Sequence, residues 1–312
     1  VLKKLQRYTD ALGSYNRAVA MEPNYYQAWY NRGDLLINLR RYEEAIESYK
    51  RAVAIKPDFC QAWENIAAVL MSRLGRYKEA LFTYNRVVAI KPEDHQAWYH
   101  RAALLLEQGR CEEAVSSLDK VVAIKPDFHE AWHRKADLLM NLGRHEEALF
   151  SYDKVIAIEQ GDHGVWNNRA SVLYNLQRYQ EALENYDKAI ALEPNFHEAW
   201  LNRSAVLGNL RRYQEALSSL NKAIQTNPDN HEAWLRRGMM LRNLRRHTEA
   251  IESWDKAIAL KPDCHEAWFN RGDILYYIGR HTDAIESLKK AIEINPDSVK
   301  HIPKQLLTKI KQ

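Results

Sequence analysis

Apolar residues along this chain follow a helical spacing, and that spacing itself recurs every 34 residues. Eight of the nine tryptophans carry the beat: Trp29, Trp63, Trp98, Trp132, Trp166, Trp200, Trp234 and Trp268. One gap is 35 residues, from a single extra residue near positions 72–73. With the tryptophan numbered position 4 of the period, position 8 is always small (Gly33, Ala67, Ala102, Ala136, Ala170, Ser204, Gly238, Gly272) and position 11 is always leucine. These three positions share one face of a helix. A second helical stretch carries alanine at position 20 in every copy, from Ala11 to Ala284. Small residues at 8 and 20 let two antiparallel helices approach closely, with tryptophan and leucine packed around the contact.

Polar positions mark the helix ends. Position 16 is always arginine, from Arg7 to Arg280, and position 19 is always acidic, from Asp10 to Asp283. A cation past one helix and an anion in the first turn of the next both suit the helix dipole. Proline at position 32 stops the second helix in every copy but one, where Gln160 replaces it. The Asp or Asn that often follows (Asn24, Asp58, Asp127, Asn195, Asp229, Asp263) is expected to cap the next helix. Each period therefore predicts helix–turn–helix. Helices of about 13 residues are marginal alone, so each must bury its stripe against its neighbours, giving a quasi-one-dimensional array.

Composition narrows the chemistry. Charged residues make up 28% with a net charge of +4, too mild to imply a polyanion partner, even with the run of arginines at 236–246. No apolar run is long enough to span a membrane, so neither a membrane nor nucleic acid is expected as a partner. Cys60, Cys111 and Cys264 are scattered, without CxxC spacing, which argues against a disulfide framework and points to a reducing, cytoplasmic setting. One string matches a catalytic signature: residues 129–133 read HEAWH, the H-E-x-x-H of zinc proteases. The period explains it instead. HEAW recurs at 197–200, 231–234 and 265–268, each time without the second histidine that zinc requires. No other catalytic constellation emerges, so a non-enzymatic protein without cofactor or metal is expected.

Tryptophan at 4, small residues at 8, 20 and 27, and proline at 32 on a 34-residue period resemble the tetratricopeptide repeat. The resemblance implies an all-α fold, a right-handed superhelical solenoid of helix-turn-helix repeats with a concave inner surface. Residues 1–25 are read as the C-terminal half of a repeat with its lone helix at 8–21, residues 26–296 as eight tandem repeats, and residues 297–312 as a closing helix or tail. The half repeat at the start predicts a piece of a longer protein. The near-identical HEAW repeats are similar to those of large bacterial multidomain proteins, in which such arrays join protease-like, kinase or NTPase domains.

The resemblance also implies where a ligand sits, because first-helix positions 2, 5, 6, 9, 12 and 13 of this family face the groove. Position 6 gives a partial asparagine column: Asn31, Asn65, Asn168, Asn202 and Asn270, broken by His100, Arg134 and Arg236. It resembles the asparagine ladder in the repeats of O-linked N-acetylglucosamine transferase, which implies hydrogen bonding to an extended peptide backbone. Position 5 adds Tyr30, Tyr99, Leu201, Leu235 and Phe269; positions 9, 12 and 13 add Met239, Arg242, Tyr276 and Tyr277. Leu201, Leu235, Met239, Phe269, Tyr276 and Tyr277 are expected to form an exposed apolar wall, flanked by Arg236 and Arg242. The expected partner is a protein or peptide, including other domains of a longer chain. The carboxylate clamp known in this family needs basic residues at positions 5 and 6 or 2 and 6 across consecutive repeats, with Asn between; position 2 here is Gln, Glu or Gly and never lysine, which argues against a clamp. Position 7 departs from the family: it is basic in seven of eight repeats, with Ile66 the exception. A base on an inward stripe needs a partner. Its stem is expected over the tryptophan and its head on an acid of the preceding second helix, such as Asp119, Asp153 or Asp187.

Overall fold

The computed structural model describes residues 2–301 and residue 307. These fall into two units, Val1–Ile158 and Glu159–Gln312. Unit 1 contains α1 (Leu2–Met21), α2 (Tyr26–Asn38), α3 (Tyr42–Ile55), α4 (Cys60–Ser72), α5 (Tyr77–Ile90), α6 (His95–Glu107), α7 (Cys111–Ile124), α8 (His129–Asn141) and α9 (His145–Ile158). Unit 2 contains α10 (His163–Asn175), α11 (Tyr179–Leu192), α12 (His197–Asn209), α13 (Tyr213–Thr226), α14 (His231–Asn243), α15 (His247–Leu260), α16 (His265–Tyr277) and α17 (His281–Ile294), then a 3-10 turn over Pro296–His301. Most of the tail expected as a closing helix lies outside the described residues. No strand occurs among the described ones.

Each unit is an all-α stack in which every helix packs on the next along the chain. The tightest contacts join the two helices of one repeat. There the small residue at position 8 lies beneath the bulky position 24: Gly33 under Tyr49, Gly238 under Trp254, Gly272 under Leu288. A β-carbon on Gly238 would sit 2.4 Å from the indole nitrogen of Trp254, so glycine is required for the approach. Alanine at position 20 is fully buried in all eight complete repeats.

The turn inside each repeat is closed by the position-16 N–H donating to the position-11 carbonyl, as from Arg110 to Leu105 at 2.9 Å. It needs a left-handed residue at position 15. Glycine supplies it at Gly75, Gly109, Gly143 and Gly279, but Arg40, Gln177, Arg211 and Arg245 adopt φ of 57–60° without that freedom. The extra residue of the second full repeat is absorbed here, where Arg76 reaches back six residues to the Leu70 carbonyl at 2.8 Å. At the start of the chain α1 runs unbroken over Leu2–Met21, longer than the expected 8–21 helix.

Between repeats, every tryptophan of the period donates its indole N–H to the carbonyl at position 32, at 2.8–3.2 Å. Gln160 serves Trp166 as well as a proline would, because the acceptor is main chain. The expected caps are corrected by one residue. Asp94, Asp162 and Asn230, immediately before their helices, accept from the first-turn N–H groups. At the remaining described junctions this place holds Tyr25, Phe59, Phe128, Phe196 or Cys264, with no side-chain cap. The phenylalanines pack instead on the preceding first helix: Phe59 on Tyr26 and Tyr30, Phe128 on His95 and Tyr99, Phe196 on His163. Histidine stands at position 1 in six repeats (His95, His129, His163, His197, His231, His265), and at His95 and His163 it serves this packing.

Arginine 16 and acid 19 turn out to be each other's partner. In all eight complete repeats the guanidinium meets the carboxylate, with Nε–oxygen distances of 2.6–2.8 Å. These pairs are exposed and screened by solvent, so each adds little to stability.

Candidate functional site

In unit 1 the position-5, -6 and -9 side chains of α2 and α4 converge. The Asn65 amide donates to the Tyr30 hydroxyl at 3.2 Å and to Asp34 Oδ1 at 3.1 Å, and the Tyr49 hydroxyl donates to the same carboxylate at 2.7 Å. Burial pushes the Asp34 carboxyl above its usual range, against the hydrogen bonds that favour its charged form. Burial also raises the Tyr49 hydroxyl, helped by Asp34. A pocket of about 390 Å³ opens beside this cluster, lined by Asp34, Asn38, Tyr49, Asn65, Ser72 and Arg73 among others. Asn65 thus spends both amide donors within the protein. Asn31 is exposed. Tyr99 is held between Phe128 and the Arg134 guanidinium, which lies 4.9 Å above its ring.

In unit 2 the amides are also linked. Asn167 bonds Asn168 at 3.3 Å, Asn202 donates to Asn167 at 3.3 Å, and Asn270 donates to the Glu266 carbonyl at 2.8 Å. Arg242 donates to Asn270 and pairs with Asp273 at 3.5 Å; Arg236 is tied to Glu232 of its own helix.

The expected apolar wall is corrected. Leu201 is buried, 7% exposed, packed with Leu220, Ala223 and Ala233, because the next repeat's first helix covers it. Leu235 packs into the cluster around Trp254, and Phe269 and Tyr276 pack on Leu288, where Leu307 also rests. Met239 and Tyr277 remain open, at 42% and 72% exposure. A smaller pocket of about 210 Å³ adjoins Phe269 and Asn270, walled by His265, Asn295 and Ser298.

The sequence pattern did not disclose Asp34, Asn38, Tyr49 and Arg73. The signal for Tyr49 and Asp34 is tyrosine at position 24 with an acid fifteen residues earlier, repeated where Tyr152 donates to Asp137 at 2.5 Å.

The basic residues of position 7 lie with their heads among the second helices. Arg203 meets Asp187 and Lys135 meets Asp119, both at 2.7 Å, as the pattern predicts. Arg32, Arg101, Lys135 and Arg237 lie 5.1–5.8 Å over the tryptophan of their own repeat. A second arm was not foreseen. The guanidinium also donates to a buried serine at position 23 of its own second helix: Ser48, Ser117, Ser219, Ser253 or Ser287. Arg32, Arg101, Arg203, Arg237 and Arg271 therefore each bridge two successive second helices. Burial lowers the affinity of Arg32, Arg101 and Arg237 for their protons.

No group of three or more metal-binding side chains occurs among the described residues. His129 and His133 of the HEAWH string contact Glu130 and Asp137. The cysteines are free; burial, a hydrogen bond to Glu64 and that carboxylate's charge push the Cys60 thiol up to about 12. No described helix is long and apolar enough to cross a membrane.

Family models described as tetratricopeptide repeat match residues 1–58, 72–134, 105–171, 164–196, 185–218, 206–263 and 241–299. The chain belongs to the tetratricopeptide repeat family. Among solved structures it is similar to the C-terminal part of a repeat protein from Cytophaga hutchinsonii, at 16% identity and TM-score 0.66, covering 79% of this chain and 98% of that one. It is also similar to PilF of Pseudomonas aeruginosa (20%, TM-score 0.55, 66% and 95%) and to YrrB, described as having an unusual peptide-binding site (22%, TM-score 0.51, 59% and 95%). These likenesses are of fold. No curated protein matches the sequence.

Proposed function

We propose that this chain is a non-catalytic scaffold that holds an extended peptide or partner protein along the inner face of its first helices. The observation that carries the reading is the pocket between α2 and α4. There a polar cluster is assembled around Asn65, with Tyr49 and Asp34 at its wall. A peptide N–H finds an acceptor there without any demand on sequence. The peptide-binding description of YrrB is consistent with this use of the fold. Exposed Met239 and Tyr277 add an apolar contact in unit 2, flanked by Arg242, which suits an acidic, partly apolar segment.

The same face would serve in a regulatory segment of a larger effector, its ligand then being another domain of that protein.

The test is capture of partners by the chain as bait, identified by mass spectrometry, with Asn65→Ala/Asn202→Ala and Met239→Glu/Tyr277→Ala as comparison baits. These side chains are exposed or half-buried, so helicity should hold. Partners seated on the inner face disappear from at least one variant; a set unchanged in both would remove the assignment.

A further inference from the structure

One repeat lacks the base that the others carry at position 7. In α4 position 7 is Ile66, and the residue that would receive a base, position 25 of the preceding repeat, is Lys50. Elsewhere that place is Asn or Asp wherever a base follows: Asn16, Asn85, Asp119, Asp153, Asp187, Asn221 and Asp255. Base and receiver change together, and the structure shows the result. Among the described residues no base spans α3 and α5 over Trp63, and a cleft of about 550 Å³ remains. Its floor is Trp63, Ile66 and Leu70; its walls are Val53, Ala54 and Phe82. Phe82 is 58% exposed. A second hollow of about 650 Å³ shares Trp63 and Phe82 and runs on along Ala89 and Ile90.

We propose that this cleft is a second binding site, on the side of the second helices, for a peptide segment carrying bulky apolar side chains next to carboxylates. The size is that of an ordinary ligand pocket. The lining is apolar, and its rim is positive. Lys50 and Lys78 line the opening, and neither has an ion-pair partner among the described residues. Glu79, the acid at that rim, is held through both oxygens by Arg76. Arg86 lies 5.4 Å over the Phe82 ring beside the second hollow, which also includes Asp58. Two cations free to meet carboxylates select an acidic occupant. Two joined hollows accept successive anchors of one chain, which favours a peptide over a single-tailed amphiphile.

The repeat itself supplies the decisive variant. Ile66→Arg with Lys50→Asp installs the bridge found in the neighbouring repeats, with Thr83 at the serine place, so the protein should fold and the cleft should close. A displayed random-peptide library is panned on the full chain, and recovered peptides are labelled for anisotropy titration. Acidic peptides with Leu or Phe anchors are expected. Their affinity should fall about tenfold or more in the bridged variant and in Lys50→Glu/Lys78→Glu, and hold in Asn65→Ala/Asn202→Ala. Should the bridged variant unfold on circular dichroism melting, Phe82→Glu and the lysine reversal, both at exposed side chains, decide the question. Recovery of no such peptides, or equal binding by all cleft variants, overturns the proposal. So does decanoate binding with the same variant dependence while peptides fail, since the site would then hold a small amphiphile.

Discussion

The repeat formed by α4 and α5 and the one formed by α14 and α15 share a period and differ in almost every device that fixes it. In the second, Gly238 lies beneath Trp254, Arg237 bridges Asn221 and Ser253, and Asn230 caps the helix. In the first, Ala67 replaces the glycine, Ile66 replaces the bridge, and Phe59 stands at the cap and packs on its neighbours. Both nevertheless keep the indole bond and the Arg–Glu pair, and both close the turn on the position-11 carbonyl, the first across one extra residue. Position 20, the turn and the tryptophan define the repeat; position 7, its receiver and the cap are where one repeat is made different from the next.

The largest expected effect lies at position 8. Gly238→Ala pushes a methyl into the fully buried Trp254, and should cost about 2–3 kcal/mol in urea unfolding. The reciprocal Ala67→Gly loses only helix preference and a methyl, about 1 kcal/mol. Equal costs would mean the two helix contacts are alike after all.

Next is the bridge. Arg237→Ile strips Asn221 and Ser253 of a donor and should lower stability by about 1–2 kcal/mol, because Ser253 keeps its bond to Glu249 and Asn221 is exposed. Joined with Asn221→Lys, it should transplant the α3–α5 cleft to α13 and α15, read as new binding of the panned peptides.

The caps come third. Asp94→Ala and Asn230→Ala should each cost about 1 kcal/mol. They separate with pH. Burial alone would raise the Asp94 carboxyl, but the Ala97 and Gln96 N–H groups and Lys91 outweigh it and hold it below its ordinary value. A depressed carboxylate stabilises above the unfolded pKa, about 3.9, and loses that contribution as pH falls through the folded value. The penalty of Asp94→Ala should therefore shrink between pH 6 and pH 3, while that of Asn230→Ala stays level. Smallest is a gain: Arg245→Gly frees a left-handed residue and should add up to about 1 kcal/mol.

The helix pairs, the turns and the single insertion were legible because they are columns: one residue type, one spacing, repeated. The Arg–acid pair was visible as two columns three apart but was read as two separate dipole effects. The bridging serines belong to a column too, at Ser48, Ser117, Ser219, Ser253 and Ser287, and only the bonds in the folded chain show what they receive. The candidate face was harder to read. Leu201 and Leu235 are the same residue at the same position, yet one is buried and the other half-open, since exposure there depends on what the next helix places over it. The expected cap lies one residue early because Asp and Asn are commonest directly after the proline, whereas only Asp94, Asp162 and Asn230 stand at the cap itself.

The indole bonds to the turn carbonyls give the molecule a set of built-in reporters. Each complete repeat has one tryptophan N–H proton whose shelter from solvent exchange depends on a single junction staying closed. Their exchange rates, resolved by nuclear magnetic resonance, would order the junctions of each unit from the first to open to the last, without any label being added.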